Sequence, residues 1–424
     1  MKVELAYGSG KLAIDLPEEL TTVIVPARQT GLAGEHAALI HALENPIKAE
    51  PLRKLAGRSG KICVVFTDIT RATPNDRLIP WLLSYLDNVP SERIILLNAT
   101  GTHRPNTMAE LERMLTSDVV QRYRVFNHDC RNRDELVEIG RMVDGTPALV
   151  NRYLCEADLR IITGFIEPHF FAGFSGGPKG IIPGCAGLET VMSNHSARNL
   201  CHPNATFGVT DGNPLWEEIR DLAARVGESF IVNVTLNDER QITGVFAGDM
   251  VAAHKSGTDF VRASAMQPVA EEFDIVITTN SGYPLDLNLY QGVKGMTAGA
   301  RILRKGGLMI LACECREGIP TNSPYHELLL RFRDTESLLA GLSVPGFCYA
   351  EQWEAYMHAR AQQKGRVLLY SSMDDDVVRQ AHLEPCHDIE EAVQRELERL
   401  GGRARIAVLP QGPLTIPYVT GNRG

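Results

Sequence analysis

Apolar and polar residues alternate from Val3 to Leu16 on either side of Gly8-Ser9-Gly10, which predicts a β-hairpin at the edge of a sheet. Further along, the pattern changes. Ile62–Phe66, Ile94–Leu97, Leu159–Ile162 and Ile275–Ile277 are short apolar runs rich in β-branched residues, broken only by Arg160. Separated by amphipathic helical segments such as Asp76–Leu86 and Met108–Leu115, they predict parallel strands covered on both faces. After Ile275 strand and helix keep alternating, with strands at Leu308–Ala312, Val367–Tyr370 and Ile406–Leu409 and helices at Gln352–Arg360 and Glu390–Leu400. The fold class is α/β, as two α/β domains with mostly parallel sheets. Helical Met250–Ala265 stops ahead of Gln267-Pro268, and proline disfavours helix in the residue before it, so the domains are drawn as 1–268 and 269–424.

Ligands in open α/β sheets gather where the carboxyl ends of strands emerge. The four strand exits read Thr67–Arg71 (TDITR), Asn98–Pro105 (NATGTHRP), Thr163–Phe171 (TGFIEPHFF) and Thr278–Asp286 (TTNSGYPLD). Loops so rich in Gly, Thr, Arg and His, placed at one sheet edge, are expected to converge on one site.

The charge balance narrows the function. Forty-three Lys and Arg against 52 Asp and Glu leave a net charge of −9, so no sequence-wide positive field exists to hold nucleic acid. No apolar run approaches the roughly 18 residues of a membrane span, and the N-terminus lacks the layout of a secretion signal. Nine cysteines scattered between Cys63 and Cys386 without C-x-x-C pairing suit reduced thiols, and together these features predict a cytoplasmic protein. G-x-G-x-x-G after a strand, G-x-x-x-x-G-K-[ST], G-x-S-x-G and H-E-x-x-H are all missing, which removes the usual support for Rossmann dinucleotide, P-loop, serine-hydrolase and zincin chemistry. Gly292, Gly295 and Gly299 read as close helix packing.

The densest chemistry lies in Gly164–His195. Gly176 and Gly177, with the glycines around them, make backbone that tolerates positive φ and close approach of a bulky group. Lys179 sits inside this loop, where burial would make its amine a nucleophile; a solvated turn lysine is the alternative. His169 and His195 flank it, and neutral imidazole suits nickel, copper, zinc or iron as well as a structural hydrogen bond. His103, beyond a strand end, is placed for a general base. Arg71 offers a planar fork for a carboxylate, or a surface ion pair. Gln291 and Lys294 are three apart, on one helix face. Trp353 reads as a core anchor or a pocket wall.

Taken together, Asp68–Arg71, Gly101–Pro105, Glu167–Lys179, Asn194–Ser196, Gly282–Asp286 and Tyr290–Gly295 resemble, in register and from about residue 5 onward, the nickel-dependent lactate racemase family. That resemblance implies a racemase or epimerase of a small 2-hydroxy acid, with the active site in a cleft between the domains. It implies a nickel-pincer nucleotide cofactor, a pyridinium mononucleotide with thioamide and thiocarboxylate arms, joined to Lys179, with His195 as the protein's nickel ligand. The C2 hydrogen would leave as hydride to give a 2-oxo acid, with His103 and His169 alternating as base and acid. Arg71, Gln291 and Lys294 would hold the substrate, while Asp68, Tyr290, Trp353, Gly176 and Gly177 would contact the cofactor. Cofactor-maturation enzymes would be partners. The chain departs from the family pattern where Pro178 and Gly180 flank Lys179 in place of Arg and Ser, and where Cys185 replaces an apolar residue, which bears on the identity of the substrate. A cofactor carrier without turnover, and a metal-dependent hydroxy-acid lyase with His169 and His195 both as ligands, are the rival readings.

Overall fold

The alternating opening segment closes into β1 (Lys2–Tyr7) and β2 (Gly10–Asp15), paired antiparallel from Lys2 opposite Asp15 to Tyr7 opposite Gly10. Gly8, at φ +51°, makes the two-residue turn without the strain a side chain would meet. This hairpin is a two-stranded sheet of its own, not the edge of a larger one. The computed structural model describes residues 1–320, 323–344 and 346–420. They divide into two compact units: one of Arg28–His195 and His202–Ala263, the other of Met1–Ala27, Ser196–Cys201 and the chain from Ser264 onward. The chain changes unit after Ala27, His195, Cys201 and Ala263, where the single cut was drawn at residue 268, and the first of these crossings leaves the N-terminal segment with the second unit. The physical reason is the hairpin, whose Val3, Leu5, Ile14 and Leu16 are buried against Ile275, Ile277, Leu308 and Ile310.

The unit of residues 28–263 is built on a six-stranded sheet. Following β3 (Thr21–Val23), which belongs to the other unit, the strands are β4 (Ile62–Thr67), β5 (Ile94–Ala99), β6 (Arg124–Asn127), β7 (Leu159–Phe165), β8 (Ser229–Leu236) and β9 (Ile242–Asp249). Their spatial order is β9-β8-β7-β4-β5-β6, parallel except for the β8–β9 hairpin at one edge. The order reverses between β4 and β7, so the loops leaving those two strands open the crevice in which such sheets bind ligands. Packed on the sheet, α1 (Asn75–Tyr85) buries Leu78, Ile79 and Leu82. The next helix, α2 (Met108–Leu115), starts at a reciprocal cap: Thr107 Oγ1 accepts from Glu110 N, and Glu110 Oε2 accepts from Thr107 N.

In the second unit, β10 (Phe273–Thr279), β11 (Leu303–Ala312), β12 (Gly365–Tyr370), β13 (Glu384–Cys386) and β14 (Ile406–Leu409) combine with β3 in the order β13-β12-β11-β10-β14-β3, all parallel. The exit at Thr278–Asp286 therefore belongs to a different sheet from the other three. The expectation of four exits on one sheet edge fails because the Ile275 run pairs with β11 and β14, not with β4, β5 or β7. Helix α3 (Leu289–Ala300) lies on β10 and β11, and a Cβ on Gly295 would stand 2.2 Å from the Thr279 carbonyl oxygen. Replacing Gly295 by Ala should therefore force helix and strand apart and cost about 1–3 kcal/mol, measurable as a lower denaturant midpoint with an unchanged slope.

Among the described residues no helix is long and apolar enough to cross a membrane.

Candidate active site

The exits of β4 and β5 bring Asp68 and His103 together across 35 positions of sequence. Asp68 is buried, and its Oδ2 lies 2.7 Å from His103 Nδ1. Thr70 Oγ1 donates to Asp68 Oδ1 at 2.8 Å, and Arg71 Nε stands 3.9 Å from the same oxygen. Burial alone would raise the Asp68 carboxyl, but the hydrogen bond and charge of His103, then the charge of Arg71 and the Thr70 hydroxyl, hold it below the ordinary value. An ionised carboxylate only accepts, so His103 Nδ1 carries a hydrogen, and in the neutral ring Nε2 keeps its lone pair. A turn holds the ring in place: His103 N donates to Thr100 O at 2.9 Å, and Gly101, at φ +57°, donates to Gly184 O at 2.9 Å, fastening the turn to the lysine loop.

That loop leaves β7, next to β4. Pro168 and His169 pair with Phe174 and Gly173 in a small hairpin, and Ala172 N donates to His169 Nδ1 at 3.3 Å. A ring that accepts at Nδ1 carries its hydrogen on Nε2 when neutral, the opposite tautomer to His103. The chain then turns through Gly176 and Gly177 at φ +78° and +55° into the single 3-10 turn that holds Lys179. These glycines are needed for approach to the protein's own body: a Cβ on Gly177 would stand 2.6 Å from the His254 ring, and one on Gly176 would stand 2.8 Å from Asn233 Oδ1. His254 Nε2 in turn donates to the Ser175 carbonyl at 2.8 Å, and Gly177 N donates to Asn233 Oδ1 at 2.7 Å.

Phe171 is the centre of the arrangement. His169 meets its ring edge-on at 4.5 Å between centroids, His195 meets it edge-on at 4.9 Å, and Lys179 Nζ lies 5.9 Å from its centroid. Desolvation, assisted by the charge of Arg71, lowers the Lys179 ammonium from 10.5 to about 7. Burial, with the Lys179 charge adding to it, holds the His195 imidazole well below its usual value and therefore neutral. His195 sits at the end of the helix Leu188–Asn194, its N–H bonded to Val191 O at 2.9 Å. Among the described residues no group of three or more His, Cys, Asp or Glu side chains is arranged as a metal cage. His128 is structural, with Nε2 on Ala186 O at 2.9 Å and Nδ1 beside Asn151 Nδ2 at 3.2 Å.

The remaining candidates stand in the second unit on α3, whose first turn is capped by Asn288 accepting from Gln291 N. Lys294 Nζ donates to Gln291 Oε1 at 2.9 Å, so the two lie on one face as their spacing predicts. Trp353, on the helix Gln352–Gln362, is buried and donates to Tyr290 Oη at 3.3 Å. Its neighbour Glu354 is one residue that pattern reading passes over. Burial raises its carboxyl well above the ordinary value in spite of the opposing charge of Lys294.

Comparison with known proteins settles the family. Residues 7–208 match the model of the lactate racemase N-terminal domain, and residues 269–416 match that of the lactate racemase C-terminal domain. The chain belongs to the lactate racemase family. It is 36% identical over 418 residues to a lactate racemase of Lactiplantibacillus plantarum, covering 95% of this chain and 98% of that one. It is 34% identical to one of Thermoanaerobacterium thermosaccharolyticum, covering 97% of each. The lactate racemase apoprotein structure from the latter organism superposes with a TM-score of 0.93 at 33% identity, over 98% of this chain and all of that one. A Thermotoga maritima protein of 20% identity shares the fold, with a TM-score of 0.69. Membership makes this protein an enzyme, an isomerase of the racemase kind.

Proposed function

We propose that this lactate racemase family member interconverts the enantiomers of a small 2-hydroxy acid, with lactate, the substrate in its relatives' names, as the first candidate. The carrying observation is the trio around Phe171: a lysine amine held near neutrality, a neutral buried imidazole and the His169 ring on one aromatic side chain. These residues fit a nickel-pincer nucleotide. Lys179, half unprotonated near pH 7, is suited to an amide-type bond with a thio-acid arm, and His195 is suited to donate its lone pair to nickel. No cage of three or more His, Cys, Asp or Glu side chains stands among the described residues, so the remaining ligands would come from a nonprotein group. When bound, the group would supply an acceptor for the C2 hydrogen with its electron pair and would give that hydride back.

The chain's own residues handle the proton. With Nε2 unprotonated, His103 is set to take the hydroxyl proton of one enantiomer while the C2–H pair departs and a carbonyl forms. As the imidazolium, His169 is set to return its Nε2 proton to the 2-oxo acid oxygen as the C–H bond re-forms, which leaves the ring neutral with Nε2 free to act as base. Their roles exchange for the other enantiomer. Asp68 fixes the His103 tautomer and stabilises the imidazolium formed in the step. Arg71 would fork onto the substrate carboxylate. A carrier without turnover would have no use for the Asp68–His103 pair.

The test is isotopic. Protein co-produced with cofactor-maturation enzymes, then incubated with enantiopure 2-deuterated lactate and a panel of other 2-hydroxy acids, should yield labelled opposite enantiomer from at least one of them. Retained configuration with every acid tried, in protein carrying the adduct, would remove the racemase reading.

A further inference from the structure

Three asparagines interlock at the ends of the loop that carries His103. Asn98 and Asn127 stand opposite each other in the parallel register of β5 and β6, and Asn106 lies just ahead of α2. Asn98 Nδ2 donates to Asn106 Oδ1 at 2.7 Å and to Asn127 Oδ1 at 2.8 Å. Asn127 pairs with the Asn106 backbone as a neighbouring strand would: its Oδ1 accepts from Asn106 N at 3.1 Å and its Nδ2 donates to Asn106 O at 2.9 Å. We propose that Asn98, Asn106 and Asn127 are positioning residues, which fix the His103 loop so that the ring is held on Asp68. The proposal rests on the reading that His103 is a base in the racemisation.

No amide of the three is free to turn over. Ile69 N donates to Asn106 Oδ1 at 3.4 Å, and the Asn106 backbone fixes both ends of the Asn127 amide. Two oxygens then face Asn98, which can meet them only with its Nδ2. Asn98 is fully buried, and its own Oδ1 has no partner. An unpaired buried oxygen is a cost that an apolar side chain would not carry, so core packing does not explain this amide.

Its two donated bonds tie together places that matter for one distance. They join the start of the His103 loop to its end, eight positions on, and through Asn106 Oδ1 they join that loop to Ile69, next to Asp68. Asn106 Nδ2 also donates to Glu110 Oε2 at 3.3 Å, fastening the loop to the first turn of α2. The contact of 2.7 Å between Asp68 Oδ2 and His103 Nδ1 bridges the same two strand exits. A base misplaced by about 1 Å loses about 10²-fold in rate. Without the asparagine bonds the loop would be free to carry the ring off the carboxylate, and the form with hydrogen on Nε2 would gain population.

Nitrogen-15 spectra of the unloaded full-length protein test this without the cofactor. The protein is labelled at histidine and observed at about pH 9, where an ordinary imidazole is neutral, with His103→Ala identifying the resonances. The wild-type ring should carry its hydrogen on Nδ1, and in Asn106→Ala and Asn127→Ala that form should fall by about half or more. Asn127 is only half-buried, so its truncation leaves a folded protein to measure. Ile161→Val, which removes a methylene from the core of the same unit, should lower stability and leave the His103 resonances in place. In loaded enzyme both asparagine variants should lose about tenfold or more in kcat with little change in KM. Unmoved His103 resonances in the asparagine variants, or an equal shift in Ile161→Val, would overturn the proposal. Shifted resonances with undiminished turnover would support the positioning and sink the base reading of His103 instead.

Discussion

Replacing Lys179 by Met should give a protein that is more stable at pH 7 than the unloaded wild type and has lost about 10³-fold or more of its activity. The stability gain follows from linkage. The ammonium is lowered from 10.5 to about 7 by desolvation first and Arg71 second, so folding penalises the charged form. That cost is complete below pH 7, where the lysine is charged both folded and unfolded. It shrinks as pH rises from 7 towards 10.5 and vanishes above, where both states are neutral. A shift of this size has a ceiling of roughly 4–5 kcal/mol; since Lys179 keeps part of its surface accessible, about 1–3 kcal/mol is expected. Melting curves of variant and unloaded wild type at pH 6, 7 and 9 should show the variant's advantage at the two lower values and its decline at the highest. The activity loss follows from the same neutral amine, which would form the bond that retains the cofactor. A variant no more stable than wild type at pH 6 would mean that the amine is solvated and that its nucleophilicity needs another source.

How much of this was legible in the sequence depends on which physical constraint shapes each element. Strands β4, β5, β7 and β10 are buried on both faces, so most of their residues are apolar and the runs stand out, although β7 also buries Arg160 and β10 buries Asp274. The β8–β9 hairpin does not, because its interior carries Asn233, Thr235 and Thr243, which are buried yet satisfied. Asn233 binds Gly177 N, and Thr235 and Thr243 bond each other across the strands at 2.8 Å. Pattern reading takes such residues as exposed. The N-terminal hairpin could be read from its turn, but not the surface that buries it, because alternation says that one face is covered and not by what. In the site, the glycine-rich segment was visible as a block. The reason for its glycines was not, since His254, Asn233 and Ile162 fill the Cβ positions from distant parts of the chain. Phe171 reads as one more core aromatic in a Phe-Phe pair, and only its contacts with His169, His195 and Lys179 set it apart. Glu354 lies in a helix with no pattern to mark it, and a buried acid is legible only once its burial is known.

Removing the His103 side chain should separate the two directions of the reaction. In His103→Ala the Lys179 adduct should be retained, since His103 belongs to the strand exit and not to the lysine loop, while steady-state racemisation falls by about 10²–10⁴-fold in both directions. The equal fall is required, because enantiomers have the same free energy and no catalyst can slow one direction alone. The half-reactions are not so constrained. Oxidation of the enantiomer whose hydroxyl proton is taken by His169 leaves that ring as base, so a stoichiometric burst of 2-oxo acid should survive with one enantiomer and disappear with the other. His169→Ala should show the burst with the opposite enantiomer. Asp68→Asn should resemble His103→Ala in steady state, because an amide can donate to Nδ1 and favour the tautomer with its hydrogen on Nε2, the wrong nitrogen for a base. Acid-quench measurement of 2-oxo acid after mixing each loaded variant with each enantiomer reads all three. A burst of equal size with both enantiomers in His103→Ala would mean that one base serves both faces of the substrate, and the division of labour between the two histidines would have to be abandoned.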